Sequence, residues 1–588
     1  MNRKLLLLAC AAACIQVVAQ TTTGTISGKV MDVSGSAVPN AKVVATELAT
    51  NVARDTNSGP DGNYSLLFLP VGTYRLDVSA GGFKKFEQTG IVLELNRNAR
   101  VDAALQLGGV SETVEVKADV PMVETGNAAL GLTVNSQDIE MLPLVDRDVY
   151  SLLTLTAGVD LTTQATDSFG APQQQTIVNG SANSSIGSVN YNLDGGLNSS
   201  GLRNTGNAIP NPDAVREFRV VTNSYSTEYG RFAGGVMDVV TKSGTNELHG
   251  SLFEFVRNTH LNANRWLPGQ SVLQKDPLHR NQFGGSAGGP IRKDKTFIFG
   301  SYSGLRKRTT VFQNTATPLT AQERAGDLSA TGGTAPVDPL TKLPFPNRLI
   351  PPSRFDPVAK KILDQYVPLP NLPKGLYEVQ IPHPNDTDEL VLKADHNLSA
   401  SHRLTGSLFF IKGTDLIGLL GNIPWVTRDF NYKQYNYNLS DTWVISPTKI
   451  NDFHAQYLRD FGGRVNLPAI SLGDLGSTYN IQGPPSLPQI SVAGRFNLTS
   501  GIPGPVAGSN LYQVRDTFSV TAGRHSIKAG GEVILEKMIH DTSLNNYGVF
   551  SFNTNNPAGT KNATADFLLG LPVTMNQDTP STKIENGW

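Results

Sequence analysis

The residues able to do covalent or metal chemistry are few and scattered. His249, His260 and His279 stand at spacings that suit no standard zinc motif. Both cysteines, Cys10 and Cys14, fall inside an apolar N-terminal run. A processed chain therefore has no thiol nucleophile, disulfide or thiolate ligand. No G-x-S-x-G elbow or phosphate-cradling loop stands out, and no acid–base or nucleophilic constellation assembles. The reading is of a protein that is not an enzyme and carries no cofactor or metal. What remains is recognition by backbone and polar side chains. The 49 basic and 50 acidic residues leave a formal net charge of -1, which argues against a nucleic-acid partner.

The elements that would position such recognition are short strands. From Glu217 to Asn258, Phe218–Val221 and Gly235–Val240 flank a glycine-rich turn, and the polar turn Lys242–Asn246 leads into Ser251–Arg257. In that last run Leu252, Glu254 and Val256 share one face, and Phe253, Phe255 and Arg257 the other. Paired alternating segments follow. Asn281–Ile291 joins Thr296–Tyr302 across Arg292–Lys295, and Leu390–Leu398 joins Arg403–Ile411. Tyr435–Val444 joins Ile450–Leu458, and Val514–Val520 joins Ser526–Val533. Short turns on one side and long connections on the other, Thr309 to Asp388 and Asp460 to Asn510, form the pattern of an outer-membrane barrel. The first connection carries a helix signal near Pro357–Tyr366. With 57 Gly and 35 Pro spread along 588 residues and only 17% charged residues, the composition fits many strands and long loops.

The chain opens with a secretory signal: Arg3 and Lys4, then Leu5–Val18, with Val17-Val18-Ala19 at the cleavage site. The run is too short to span a membrane comfortably. Lipoprotein processing at Cys10 is the other reading, with bulky Leu8 standing against it. Next, Thr25 to Leu107 reads as a β-sandwich, its strands separated by turns such as Asp32–Gly35, Ser58–Asn63 and Pro70–Gly72.

The phrases G-x-V-x-D-x-x-G, D-G-x-Y and L-P-x-G-x-Y-x-L-x-V in this segment resemble the carboxypeptidase-regulatory-like, or carbohydrate-binding-like, domain. That resemblance implies an accessory role and leaves sugar binding open. Leu152-Leu153-Thr154-Leu155-Thr156-Ala157-Gly158-Val159, Ile177-Val178-Asn179-Gly180 and Tyr191-Asn192-Leu193-Asp194-Gly195 resemble the plug of TonB-dependent outer-membrane receptors, with Ala157 in place of the family's Pro. Taken alone, Asp194-Gly195 reads as an ordinary turn. Glu217–Asn258 and Asn281–Tyr302 closely resemble the plug-to-barrel junction and first hairpin of the Oar-like group.

The resemblance implies a mainly β chain with a β-sandwich, an α+β plug and an incomplete transmembrane antiparallel barrel. The expected division is a signal at 1–19, the sandwich at 20–108, a linker at 109–119, the plug at 120–245 and a partial barrel at 246–588. Within the linker, Glu112, Thr113, Val114, Glu115 and Val116 resemble the TonB box, a segment that pairs with TonB as an added strand. Read without the family, the same five residues are the last strand of the sandwich. The implied partners are TonB, outer-membrane lipid and an unidentified ligand. The implied site is the outer membrane of a Gram-negative-type cell, with sandwich and plug facing the periplasm. The alternative is a structural or adhesive outer-membrane protein without active transport. Roughly ten strands are countable where plugged transporters have about 22, and Lys583–Trp588 lacks a terminal aromatic strand. The expectation is a truncated reading frame.

Overall fold

The computed structural model describes residues 23–108, 113–116, 129–142, 144, 146–161, 165–166, 172–181, 187–201, 204–263, 275, 277–418, 420–501, 504–522, 525–542, 546–579 and 581–587. The signal at 1–19 and Glu112 lie outside them. Three β assemblies follow one another along the chain, and a fourth cluster caps one end.

The sandwich has two sheets. One joins β1 (Thr23–Asp32), β4 (Asn63–Pro70), β7 (Asn98–Arg100) and β8 (Ala103–Leu105). The other is ordered β3 (Ala53–Asn57), β2 (Lys42–Glu47), β5 (Gly72–Ser79), β6 (Lys85–Leu93) and β9 (Thr113–Val116). Alternation in β1 buries Ile26 and Val30 against Tyr64, Leu76 and Val78. Gly28 is required in β1, because a Cβ there would lie 1.8 Å from the Val101 carbonyl oxygen.

The plug sheet is ordered β10 (Leu130–Asn135), β17 (Val215–Asn223), β18 (Gly235–Thr241), β15 (Val189–Leu193) and β16 (Gly196–Leu197). The intervening β11 (Val159–Leu161), β12 (Ala165–Thr166), β13 (Pro172–Gln173) and β14 (Thr176–Val178) form two small ladders. A short helix follows Asn135 at Ser136–Met141, with the Asn135 side chain accepting from the Asp138 N–H. Val149–Leu155 is a 3-10 helix capped by Asp148. Phe218, Val220, Met237 and Val239 fill the plug core with Tyr191 and Leu193.

The barrel wall is one ten-stranded antiparallel sheet. It runs β19 (His249–Asn258), β20 (Leu278–Arg292), β21 (Thr296–Ala316), β22 (Tyr377–Asn397), β23 (His402–Ile417), β24 (Thr427–Ser446) and β25 (Lys449–Leu467). It continues through β28 (Gly504–Ala522), β29 (His525–Thr542) and β32 (Ser581–Gly587). The sheet is not closed among the described residues: β19 and β32 each pair on one side only. Every strand pair expected from the sequence is present, and the strands are longer than expected. Residues Thr309–Ala316 and Tyr377–Asp388, expected in a loop, extend β21 and β22, and Asp460–Leu467 extends β25. No described helix is long and apolar enough to cross a membrane; the crossing elements are strands.

Facing alternates strictly along the wall. On β24, Gln434 and Asn436 are buried toward the plug, while Tyr437, Leu439 and Trp443 point out at 41–45% exposure. Outward Tyr437, Tyr457 and Tyr512 stack across three strands, with ring centroids 6.2 and 5.0 Å apart. Such an outward apolar and aromatic surface is what lipid contact requires.

The long connections are not structureless. Parts of four of them, between β21 and β22, β23 and β24, β25 and β28, and β29 and β32, gather into one hydrophobic core at the barrel end away from the sandwich. It combines the expected helix, Pro357–Gln365, a second helix, Ala563–Leu568, and β26 (Gln489–Val492), β27 (Phe496–Leu498), β30 (Val549–Phe552) and β31 (Thr574–Asn576). Phe567 meets Phe496 and Phe552 edge-on at 5.6 and 5.3 Å, and the Trp425 indole N–H donates to the Pro488 carbonyl at 2.9 Å.

Candidate functional site

The polar chemistry converges where the plug meets its surroundings. The first contact is with the barrel wall. The turn between β15 and β16, Asp194-Gly195-Gly196, carries Asp194 in the left-handed region at φ 48°. Its carboxylate accepts the Thr241 N–H at 3.0 Å, the Thr241 hydroxyl at 2.8 Å and the Lys393 ammonium at 3.1 Å. Lys393, on β22, also donates to the Thr241 carbonyl at 3.1 Å. Both side chains of the ion pair are over 90% buried. The sequence reading of Asp194 as an ordinary turn is therefore incomplete. The residue makes the turn and also anchors it to the wall.

The wall answers the rest of this hairpin with a row of amides. Gln513 accepts the Leu197 N–H at 3.0 Å, and Gln456 donates to the Leu197 carbonyl at 2.8 Å. Gln434 and Asn436 donate to the Asn198 side-chain oxygen at 3.0 and 3.3 Å. Arg515 donates to the Gly195 carbonyl at 3.0 Å. Gly196 has to lack a side chain here, since its Cβ would stand 2.3 Å from the Asn438 Oδ1. Period-two alternation aims these residues, two or four apart on each strand, into the lumen.

The second contact is with the sandwich, and its polar bonds centre on the turn at Leu95-Asn96. Leu95 is fully buried beside Val71 and Val240. Its N–H donates to the Glu217 carboxylate, and its carbonyl accepts from the Arg219 guanidinium at 2.8 Å. The Asn96 amide donates to Asp238 at 2.9 Å, as do the Tyr229 hydroxyl at 2.9 Å and the Asn192 amide at 2.7 Å. Burial pushes the Glu217 carboxyl up to about 7 and the Asp238 carboxyl up to about 6. The hydrogen bonds and nearby arginines only partly oppose that shift.

A lumenal cavity of about 340 Å³ opens on the plug face turned away from the sandwich. Arg147, Gln174 and Asn211 of the plug line it with Arg280, Lys307 and Tyr432 of the wall. The Arg147 guanidinium pairs with Asp213 and lies 4.0 Å over the Phe255 ring, while Arg257 donates to Asp146 at 2.9 Å. The Phe253–Phe255–Arg257 face of β19 thus turns toward the plug, as its alternation predicts. The lining mixes amides and cations with four carboxylates, Asp146, Asp148, Glu389 and Asp415, and two tyrosines, Tyr150 and Tyr432.

Of the five linker residues singled out in the sequence, Thr113–Val116 form β9. It runs parallel to β6, with Thr113 opposite Lys85 and Val116 opposite Gln88. His249 and His279 stand at opposite ends of the β19–β20 hairpin, so they do not converge. The wall amides and Lys393 were not picked out in the sequence. Their signal was the polar alternation Gln434-x-Asn436-x-Asn438, which marks a lumenal face.

Residues 240–588 match the family described as outer membrane beta barrel domain, and residues 25–106 match the carboxypeptidase regulatory-like domain. The TonB-dependent transporter Oar of Myxococcus xanthus is 31% identical over 314 residues, which are 50% of this chain and 28% of that protein. The chain thus spans less than a third of the length of this relative. Among solved structures, the outer membrane transporter YddB from Escherichia coli superposes with a TM-score of 0.46 at 12% identity, over 78% of this chain and 53% of that one. The siderophore receptor PirA from Acinetobacter baumannii gives 0.39 at 13% identity, over 70% and 48%. The barrel match takes in more than half of the sequence, and the chain belongs to the outer membrane beta barrel family and carries a carboxypeptidase regulatory-like domain at its front.

Proposed function

We propose that the protein acts in TonB-dependent uptake across the outer membrane of a ligand too scarce or too large for porins. Siderophore, oligosaccharide and peptide all remain open as its class. The observation that carries this reading is the plug hairpin held in the barrel by a buried ion pair and a row of amides. A plug so placed blocks the lumen, and passage requires work to move it. The likeness to the Oar transporter supports the same reading, and so does the lumenal cavity facing away from the sandwich. The transporters and receptors among its relatives argue for binding and transport rather than catalysis.

Energy enters through the linker. Glu112, Thr113, Val114, Glu115 and Val116 act as the TonB box, the short-turn end faces the periplasm, and the lipid-facing wall lies in the outer membrane. Support comes from β9, which occupies a sheet edge and so presents backbone suited to strand pairing. The test is a photo-crosslinking side chain at Val114, with and without Pro at Thr113. The expected outcome is a covalent adduct with TonB that the proline abolishes. An adduct that survives the proline, or none in either protein, would remove the linker from the mechanism and favour a structural or adhesive role.

A further inference from the structure

A polar cavity of about 90 Å³ lies at the short-turn end of the barrel, next to the plug hairpin. Asp194 and Thr241 of the plug roof it, and the wall lines its sides with Asp395, Asn438 and Arg515. Its floor is the sandwich, through Glu47, Phe68 and Val71. Asp395 Oδ2, Asn438 Oδ1 and Arg515 Nε are buried with no hydrogen-bond partner among the described residues. Buried polar atoms beside a polar space are satisfied by water, each molecule needing about 10–15 Å³. The space is therefore a wet compartment, set between the hairpin that fills the lumen and the barrel mouth at the short-turn end.

The sandwich is seated in that mouth. The Thr56 hydroxyl donates at 3.3 Å to the Pro447 carbonyl, in the short turn between β24 and β25, and the Asn246 N–H donates to the Ala49 carbonyl at 2.9 Å. Phe68 is shaped for this seat. In the β1–β4 ladder Ile26 faces Leu66 and Gly24 faces Leu69, so Leu67 and Phe68 together stand opposite Thr25. The extra residue makes a β-bulge, a device that re-aims a side chain. Phe68 takes φ 54°, a left-handed conformation that bulky side chains rarely adopt. Tyr64, Leu66 and Leu69 of the same strand enter the sandwich core, and Phe68 does not. It is nonetheless only 4% exposed. Its ring lines the wet compartment, with the Lys528 ammonium of β29 at 5.4 Å from the ring centre. The bulge thus turns an aromatic ring out of the core of its own domain and buries it in the barrel mouth. A strained backbone persists only where its surroundings hold it, and here those surroundings include the wall.

We propose that the sandwich is a gate: it closes the short-turn mouth of the barrel, Phe68 is its latch, and it unseats to let a ligand leave through the wet compartment. As a gate it rests on the uptake reading above, but its closure is read without TonB or ligand. Cys10 and Cys14 are the two cysteines of the chain. With both replaced by alanine, a single introduced cysteine serves as reporter. Ser440→Cys reports from the wet compartment and Asn385→Cys from the lumenal cavity on the opposite side of the plug. Outer-membrane fragments are labelled with a charged, membrane-impermeant maleimide, and heat-modifiability on gels confirms that each variant is folded. With Phe68 intact, Ser440→Cys should label slowly. Phe68→Gly suits the left-handed bulge while removing the ring, and should speed that labelling about tenfold by raising the open population. Phe68→Leu, which keeps an apolar latch, should stay slow, and Asn385→Cys should label alike in all three backgrounds. Equal labelling of Ser440→Cys with and without the Phe68 ring, or an equal acceleration at Asn385→Cys, would overturn the gate whatever the result for uptake. The expected labelling in a protein that TonB does not drive would uphold the gate and remove only the uptake reading.

Discussion

The plug is held on two sides by different means. Toward the barrel, a hairpin from Asn192 to Asn198 meets side chains from four strands, β22, β24, β25 and β28, with its one buried carboxylate, Asp194, matched by the Lys393 ammonium. Toward the sandwich, the turn at Leu95-Asn96 inserts between two buried carboxylates, whose burial outweighs the opposing pull of Arg216 and Arg219 on Glu217 and of Arg219 and Arg515 on Asp238. The first contact is charge-compensated and distributed; the second is concentrated and titratable. The difference implies an order of release. On the TonB-coupled function proposed above, a pull arriving from the linker side releases the titratable sandwich joint first, and the plug's grip on the wall yields only afterward.

The comparison breaks most visibly at Lys393. Lys393→Met leaves Asp194 buried and uncompensated, at a cost of about 3–5 kcal/mol. Protease sensitivity of the plug should rise strongly, and Asp194→Asn added to Lys393→Met should restore most of the protection. A smaller loss is expected at Gly196. Gly196→Val pushes on Asn438 and Gln456 and should cost about 1–3 kcal/mol by overpacking, seen as a lower temperature of plug release. Asn96→Ala removes one donor from Asp238 and should cost about 1–2 kcal/mol. Its effect should be confined to the sandwich joint, with the plug–wall contacts keeping their protection.

The mildest perturbation is pH. Glu217 and Asp238 have folded pKa values raised above their usual 4.5 and 3.8, to about 7 and about 6. The folded joint therefore holds protons that the opened joint releases. Its stability is greatest below the usual carboxylate range and falls as pH rises through about 4 to 7. Glu217→Gln, which keeps an acceptor for the Leu95 N–H, should remove about half of that slope in a pH series of sandwich–plug dissociation, the rest belonging to Asp238.

Much of this organisation was legible in the sequence, and the exceptions share a cause. Alternation such as Tyr435-x-Tyr437-x-Leu439 against Gln434-x-Asn436 gave both the strand and its two faces, because lipid and lumen demand opposite chemistry. Where a strand leaves the lipid the demand ends. Arg306–Thr310 is polar on both faces, and from Thr309 onward the chain reads as loop although β21 continues through it. The cap was hidden for a different reason. Trp425, Phe496 and Phe567 meet in one core, but they lie far apart in sequence and are surrounded by Pro and Gly, so no local window shows a core. Asp194 was undervalued because an Asp-Gly turn is common. Its partner, Lys393, is distant in sequence, and only tertiary structure brings a plug turn to a barrel strand. At the linker, both readings of Thr113–Val116 describe an extended segment, and the backbone geometry of β9 serves either.

The order of release is tested most directly by native-state hydrogen exchange at two amides. The Leu95 N–H is held by Glu217 and the Leu197 N–H by Gln513. After correction for intrinsic rates, Leu95 is expected to lose protection between pH 5 and pH 8 while Leu197 does not change, and to be the less protected of the two at pH 8. Faster exchange at Leu197, or parallel loss at both amides, would contradict it by showing that sandwich and wall release the plug together or in the opposite order.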